Sequence, residues 1–192
     1  MFKNIAVFLF VICFSGSSVL YAQDAAGKFP NNMKTGEAEL TLKGVGVRTK
    51  LFVDVYLGGL YLNEKLNEKN TDAKALVKAN EPMAIRLKIT SGLINSENMA
   101  DATREGFEMS TDGNVKPIKH QIDKFIAVFQ EEIEDNDAYN IVYQPTEGVL
   151  VYKNDELRIN IKGLEFKEAL FGIWLGDDPV DEDLKSGMLG EE

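Results

Sequence analysis

The chain has 192 residues, of which 31 are acidic and 21 basic, so its formal net charge at pH 7 is −10. A chain this acidic has no general electrostatic attraction to nucleic acids or to anionic lipid surfaces, and we exclude a nucleic-acid partner on that ground. Its one cysteine, Cys13, and its one histidine, His120, exclude a disulfide framework and a histidine-based metal cage.

The first 22 residues predict a signal peptide. Lys3 supplies the positive charge, residues 5–14 form a ten-residue apolar run, and Ala22 is a small residue at which cleavage can occur. An uncleaved membrane anchor is the alternative, but a spanning helix needs about 20 apolar residues, and the polar residues 15–18 interrupt this run. We therefore expect a periplasmic or secreted protein with no transmembrane segment after cleavage. Cleavage would remove Lys3 and Cys13, which leaves a thiol-free chain with a net charge of −11.

The rest of the chain predicts one domain over 37–192, preceded by a flexible leader over 23–36. Apolar periodicity predicts strands at 37–43, 50–62, 83–90, 138–144, 148–153 and 156–162. It predicts helices at 72–80, 95–110, 117–130, 165–175 and 182–189. Gly44 and Gly46 should interrupt the chain after the first strand, as at a bulge or turn. Because strands follow strands and helices follow helices, the order favours an α+β fold, with an antiparallel sheet and helices packed on one side.

Single residues and short runs do not form a catalytic or metal-binding set. His120 lies away from the apolar stripe of its helix, so we expect it to face solvent. The acidic runs 131–137 and 176–183 lack the ligand spacing of a calcium loop and are typical of solvated turns. Trp174 has the helical spacing of a core residue. We therefore predict no metal, no cofactor and no standard catalytic constellation.

A group of separated segments indicates a family. The segments are, in chain order, 44–50 (GVGVRTK), 56–62 (YLGGLYL), the two helices that contain 104–107 and 125–129, and 166–176 (FKEALFGIWLG) followed by Pro179 and Leu184. In order and spacing they resemble the bacterial chalcone isomerase-like family, over about residues 36–190.

The resemblance implies an open-faced β-sandwich, in which helices cover one face of a large antiparallel sheet and an apolar cleft lies between the two layers. The plant enzymes of this fold cyclise chalcones to flavanones, whereas other relatives bind fatty acids. In both groups an arginine near the first hairpin holds the anionic oxygen of the ligand, and Arg48 is the matching residue here. Tyr56 is the second candidate, as a phenol able to donate to the same oxygen.

The spacing of Arg48 and Tyr56 sets a condition on this role. An arginine offers a planar fork of donors that suits a carboxylate or a phenolate, and the alternative is a surface arginine beside a turn. Eight residues of one straight strand would separate the two side chains by roughly 26 Å. A turn or bulge near residues 49–50 must therefore intervene if both contact one ligand.

The first long helix departs from the plant pattern. The plant enzymes carry a tyrosine and an asparagine there, and the matching positions are Glu97 and Arg104. Because active-site groups act as a unit, we expect a noncatalytic binder of a small apolar anion such as a fatty acid. Two alternatives stay open. One is an isomerase (an intramolecular lyase) with an altered site that acts on a chalcone-like or unknown substrate, and the other is an envelope-associated structural protein with a vestigial cleft.

Overall fold

A computed structural model of the chain describes residues 27–68 and 72–191, so the predicted signal peptide lies outside the described residues. Seven strands form one antiparallel sheet in which each strand pairs with the next along the chain. The strands are β1 (Asn32–Thr35), β2 (Ala38–Lys50), β3 (Val53–Leu62), β4 (Met83–Ile89), β5 (Ala138–Gln144), β6 (Gly148–Lys153) and β7 (Glu156–Ile161).

Helices pack on one face of this sheet. They are α1 (Glu64–Glu68), α2 (Ala73–Lys78), α3 (Ser96–Ser110), α4 (Lys119–Ile126, between 3-10 turns at Lys116–Ile118 and Ala127–Gln130), α5 (Leu164–Leu175) and α6 (Glu182–Leu189). The alternate residues Met83, Ile85 and Leu87 of β4 are all buried in the core beneath the helices. The predicted open-faced α+β sandwich is confirmed. In the two described ranges, no helix is long and apolar enough to cross a bilayer.

A cluster of aromatic rings joins the helical layer to the sheet. Phe107 of α3 stacks on Phe166 of α5 with ring centroids 5.7 Å apart. Phe129 contacts Phe125 of α4 at 5.5 Å and Tyr139 of β5 at 5.3 Å, both edge to face. Aromatic pairs in these geometries contribute about 0.5–1.5 kcal/mol each beyond the burial of their surface. The cluster therefore ties three helices to the sheet.

The close packing of α6 on β2 explains two of the glycines. A Cβ atom on Gly46 would lie 2.1 Å from the carbonyl oxygen of Leu184, and one on Gly187 would lie 2.5 Å from Gly46 Cα. The backbones of helix and strand are thus in direct contact. The interruption expected at Gly44 and Gly46 is a shift of register between Leu42 and Gly44, and β2 continues through it.

The predicted flexible leader over 23–36 is wrong in its described part, because it contains strand β1. Phe29, ahead of β1, is buried against Gly59, where a Cβ atom would lie 2.7 Å from the phenylalanine ring. The Tyr61 hydroxyl donates to the carbonyl of Pro30 at 2.9 Å. The ordered structure therefore begins before the predicted boundary at residue 37. An edge strand with the sequence NMKT carries no alternating apolar pattern from which it could be predicted.

A buried lysine fixes α2 to α5. Lys167 is fully buried, which is rare for a lysine. Its ammonium group donates to the carbonyls of Leu76, Val77 and Ala79 at 2.9, 2.7 and 2.8 Å. These carbonyls lie at the C-terminal end of α2, where a helix leaves its acceptors unpaired. Burial lowers the pKa of Lys167 to about 8, so the group is charged at pH 7.

Candidate functional site

An apolar cleft lies between the sheet and the helices, at the end of the sheet that carries the β2–β3 hairpin. Its volume is about 260 Å³. Small-molecule sites usually start near about 300 Å³, so this cleft suits a small ligand. Its apolar lining comes from the hairpin, the sheet, α3, α5 and the segment before α6, and includes Leu51, Val55, Leu87, Met99, Ile173 and Val180.

The β2–β3 hairpin brings the two predicted ligand residues together at this cleft. Two residues, Leu51 and Phe52, join the strands, and in the resulting register Arg48 lies directly opposite Tyr56. Cross-strand partners have Cα atoms about 4.5–5.5 Å apart, so the separation of eight residues along the chain becomes a direct pairing. The interruption expected near 49–50 is present as a bulge-like shift of register between Arg48 and Thr49, and it is followed by a turn at 51–52. The turn therefore divides the segment that was predicted as one strand over 50–62.

Tyr56 presents a neutral phenol to the cleft. Its side chain is buried, and the indole nitrogen of Trp174 donates to its hydroxyl oxygen at 3.2 Å. Burial raises the pKa of Tyr56 to about 12, so the phenol stays protonated at neutral pH. No hydrogen bond from its proton to any residue in the described ranges is present, which leaves that proton available to a ligand. Trp174 is buried, as predicted, and in addition orients this hydroxyl group.

Arg48 has an anionic partner that the sequence did not predict. Its Nη1 atom donates to Oδ2 of Asp181 at 2.8 Å, and the two side chains are only 23 % and 17 % exposed. The other carboxylate oxygen of Asp181 accepts the amide proton of Leu184 at 2.9 Å and caps α6. Asp181 falls in the run 176–183, which was predicted to be a solvated turn. One carboxylate thus holds both the arginine and the start of the helix.

A comparison with protein families identifies the family of the chain. A family model described as chalcone isomerase-like matches residues 22–190. The chain belongs to the chalcone isomerase-like family. Among solved structures, the fatty-acid binding protein AtFAP1 of Arabidopsis thaliana is similar, with 21 % identity and a TM-score of 0.64 over 84 % of this chain and 90 % of that chain. A similarity at this level of identity shows a shared fold. No curated protein matches the chain.

The two positions that the resemblance matched to active-site residues of the plant enzymes lie outside the cleft. Glu97 and Arg104 are both exposed on α3 and are not part of the cleft lining. Asn98 and Thr103 line it instead, and each donates to a backbone carbonyl of its own segment at 2.7 Å. The α3 side of the cleft therefore offers mainly apolar surface. The isomerase alternative would need other groups to position its substrate.

A second cavity, of about 320 Å³, lies between α2, the end of α3 and α5. Charged side chains of both signs surround it, and at its rim Lys74 donates to Asp177 at 2.9 Å.

His120 is exposed, as predicted. Among the residues that the structure describes, no three histidine, cysteine or acidic side chains are grouped as a metal site. Of the two cavities, the cleft at the hairpin is the candidate site, because its lining is mainly apolar and Arg48 and Tyr56 are paired at it.

Proposed function

We propose that this chain is an exported protein of the chalcone isomerase-like family that binds a small apolar anion, such as a fatty acid, without transforming it. One observation carries the proposal: Arg48 and the neutral phenol Tyr56 are cross-strand partners, and both line a mainly apolar cleft. AtFAP1, which shares the fold, is a fatty-acid binding protein and supports the same ligand class. The signal peptide predicted over 1–22 supports a periplasmic or secreted location.

The head group of such a ligand would lie between Arg48 and Tyr56. A carboxylate that leaves water without a partner pays a large desolvation cost, and charge-assisted hydrogen bonds from a guanidinium and a phenol offset that cost. Only Nη1 of Arg48 is bound to Asp181, and no hydrogen bond from its other two nitrogens to a described residue is present. The arginine can therefore keep Asp181 while it donates to a ligand.

The volume of the cleft bears on the length of the ligand tail. A volume of about 260 Å³ equals that of about nine water molecules at about 30 Å³ each. We therefore expect the cleft to hold a short or medium-chain tail. A longer chain would extend through the mouth of the cleft.

Arg48→Ala should weaken the binding of a medium-chain fatty acid by about 1.5–3 kcal/mol, the range for a hydrogen bond to a charged group. The methyl ester of the same acid lacks the charge and should bind the wild type and the variant about equally. Competitive displacement of a fluorescent fatty acid measures both affinities. Arg104→Ala, which removes an exposed arginine of α3, is the matched control and should change neither affinity. Equal losses for acid and ester would contradict the role of Arg48.

Asp181→Asn should have the opposite effect and strengthen acid binding. Asparagine caps a helix about as well as aspartate, so α6 should keep its start, while the negative charge beside the ligand head group is lost. Coulomb's law at a partly buried site gives a gain on the order of 1–2 kcal/mol for the acid and none for the ester. The same displacement assay measures it. An unchanged acid affinity would show that the charge of Asp181 does not act on the ligand head group.

A further inference from the structure

The β2–β3 hairpin ends in an exposed apolar surface. Leu51 is 84 % exposed, Phe52 100 %, and Val53 39 %, and Leu93 in the loop before α3 is 59 % exposed. These four residues, here called the apolar tip, account for most of the large apolar side chains that are exposed in the described part of the chain. Side chains of this size normally lie inside a protein, and a group of them on one projection marks a contact surface.

The turn at the apolar tip consists of two residues that are unfavourable in its backbone conformation. Leu51 has a φ of 49° and Phe52 a φ of 69°. Two-residue hairpin turns with positive φ at both positions favour Asn-Gly or Asp-Gly, because a bulky side chain is strained there. Phe52 is fully exposed, so packing against the described residues does not offset this strain. Strain of this kind persists where the side chains serve a function.

The apolar tip adjoins the mouth of the cleft. Leu51 and Leu93 belong both to the tip and to the lining of the cleft. The lining also includes Arg48 and Lys50. Lys50 is exposed at the base of the tip and forms no ion pair with a residue of the described ranges. A ligand that enters the cleft therefore passes the tip, and a cation without a partner lies beside that path.

We propose that the apolar tip inserts into the surface of a lipid bilayer, so that the cleft opens onto the membrane. At roughly 150–250 Å² for a large side chain, the tip offers roughly 500 Å², less than the about 800 Å² that each partner buries in a stable protein complex. A small projecting tip with one fully exposed aromatic ring suits insertion to the depth of the lipid head groups, about 5–10 Å. Lys50 then lies at the level of the lipid phosphates.

The acidity of the chain determines the kind of bilayer used in the test. With a net charge of −10 the protein has no long-range attraction to anionic lipid, so insertion depends on apolar contact. Vesicles of phosphatidylcholine, which carry no net charge, are the appropriate probe. The contact of the tip with the membrane does not depend on the proposed function. Only the identity of the ligand that the membrane would supply to the cleft rests on it.

The test is co-sedimentation of purified protein with phosphatidylcholine vesicles. Phe52→Gly should lower the partition coefficient about tenfold, because one large apolar side chain is removed from the bilayer. Its thermal midpoint should equal or exceed that of the wild type, since glycine adopts a φ of 69° without strain. Leu157→Asn removes another exposed leucine, on β7, and should change the partition coefficient less than twofold.

Three results would overturn the inference: no vesicle binding by the wild type, no loss in Phe52→Gly, or an equal loss in Leu157→Asn. A wild-type dimer that Phe52→Gly dissociates would assign the tip to a second copy of the chain and would overturn it as well. Fatty-acid affinity without vesicles tests the cleft separately, and because Phe52 is not part of the lining, that affinity should stay unchanged. If Arg48→Ala shows no acid-specific loss while Phe52→Gly loses vesicle binding, the proposed ligand is wrong and the membrane contact stands.

Discussion

Gly46→Ala is expected to lower the free energy of unfolding by about 3–5 kcal/mol, although it adds only one methyl group. The new Cβ atom would lie 2.1 Å from the Leu184 carbonyl oxygen and 2.8 Å from Leu184 Cα. Both are backbone atoms, so no side-chain rotation relieves the overlap, and α6 must move away from β2. That movement draws Leu184 and Met188, which are both fully buried, out of the core. Truncation of a single buried leucine already costs about 2–5 kcal/mol.

Gly92→Ala is the matched control for this prediction. A Cβ atom on Gly92 would have no neighbour within 4 Å, so the variant should stay within about 0.5 kcal/mol of the wild type. Urea denaturation measures both variants, and for a domain of this size the thermal midpoint of Gly46→Ala should fall by about 6–20 °C. Equal stability of the two variants would mean that α6 does not rest on the β2 backbone.

The regular elements could be predicted because their apolar residues repeat with the period of a strand or a helix. The strand predicted over 83–90 is Met83–Ile89, and the helix predicted over 95–110 is Ser96–Ser110 with Asn95 as its cap. The hairpin turn could not be located, because Leu51 and Phe52 are typical of a strand and not of a turn. The strand β1 was missed for a related reason, since an edge strand needs few apolar residues.

The candidate site could be predicted only in part. Arg48 and Tyr56 were selected through the family resemblance, and the hairpin then placed them opposite each other. Asp181 could not be found in the same way, because 133 residues separate it from Arg48 and a carboxylate in an acidic run resembles a solvated one. Exposure of the apolar tip is likewise a tertiary property, because the β-branched and aromatic residues of 50–62 indicate only a strand.

Lys167 allows the second strong test of the fold. Lys167→Met keeps the length of the side chain and its apolar stem but removes the ammonium group, which donates to three carbonyls at the end of α2. Each buried carbonyl that loses its donor costs about 1–3 kcal/mol of folding free energy. Removal of the ammonium group also removes the cost of burying its charge, which offsets part of this loss. We expect a net loss of about 3 kcal/mol at pH 7, which corresponds to a thermal midpoint about 6–12 °C lower.

The loss in Lys167→Met should be largest in α2, because this six-residue helix is too short to be stable without tertiary contacts. Its amides should therefore exchange with deuterium faster in the variant, while those of the central strand β4 should follow only the global loss of stability. Lys162→Met, which changes an exposed lysine just before α5, is the control and should affect neither measurement. If Lys167→Met is as stable as Lys162→Met and α2 exchanges no faster, water must satisfy the carbonyls of Val77 and Ala79, and packing alone must hold α2 against α5.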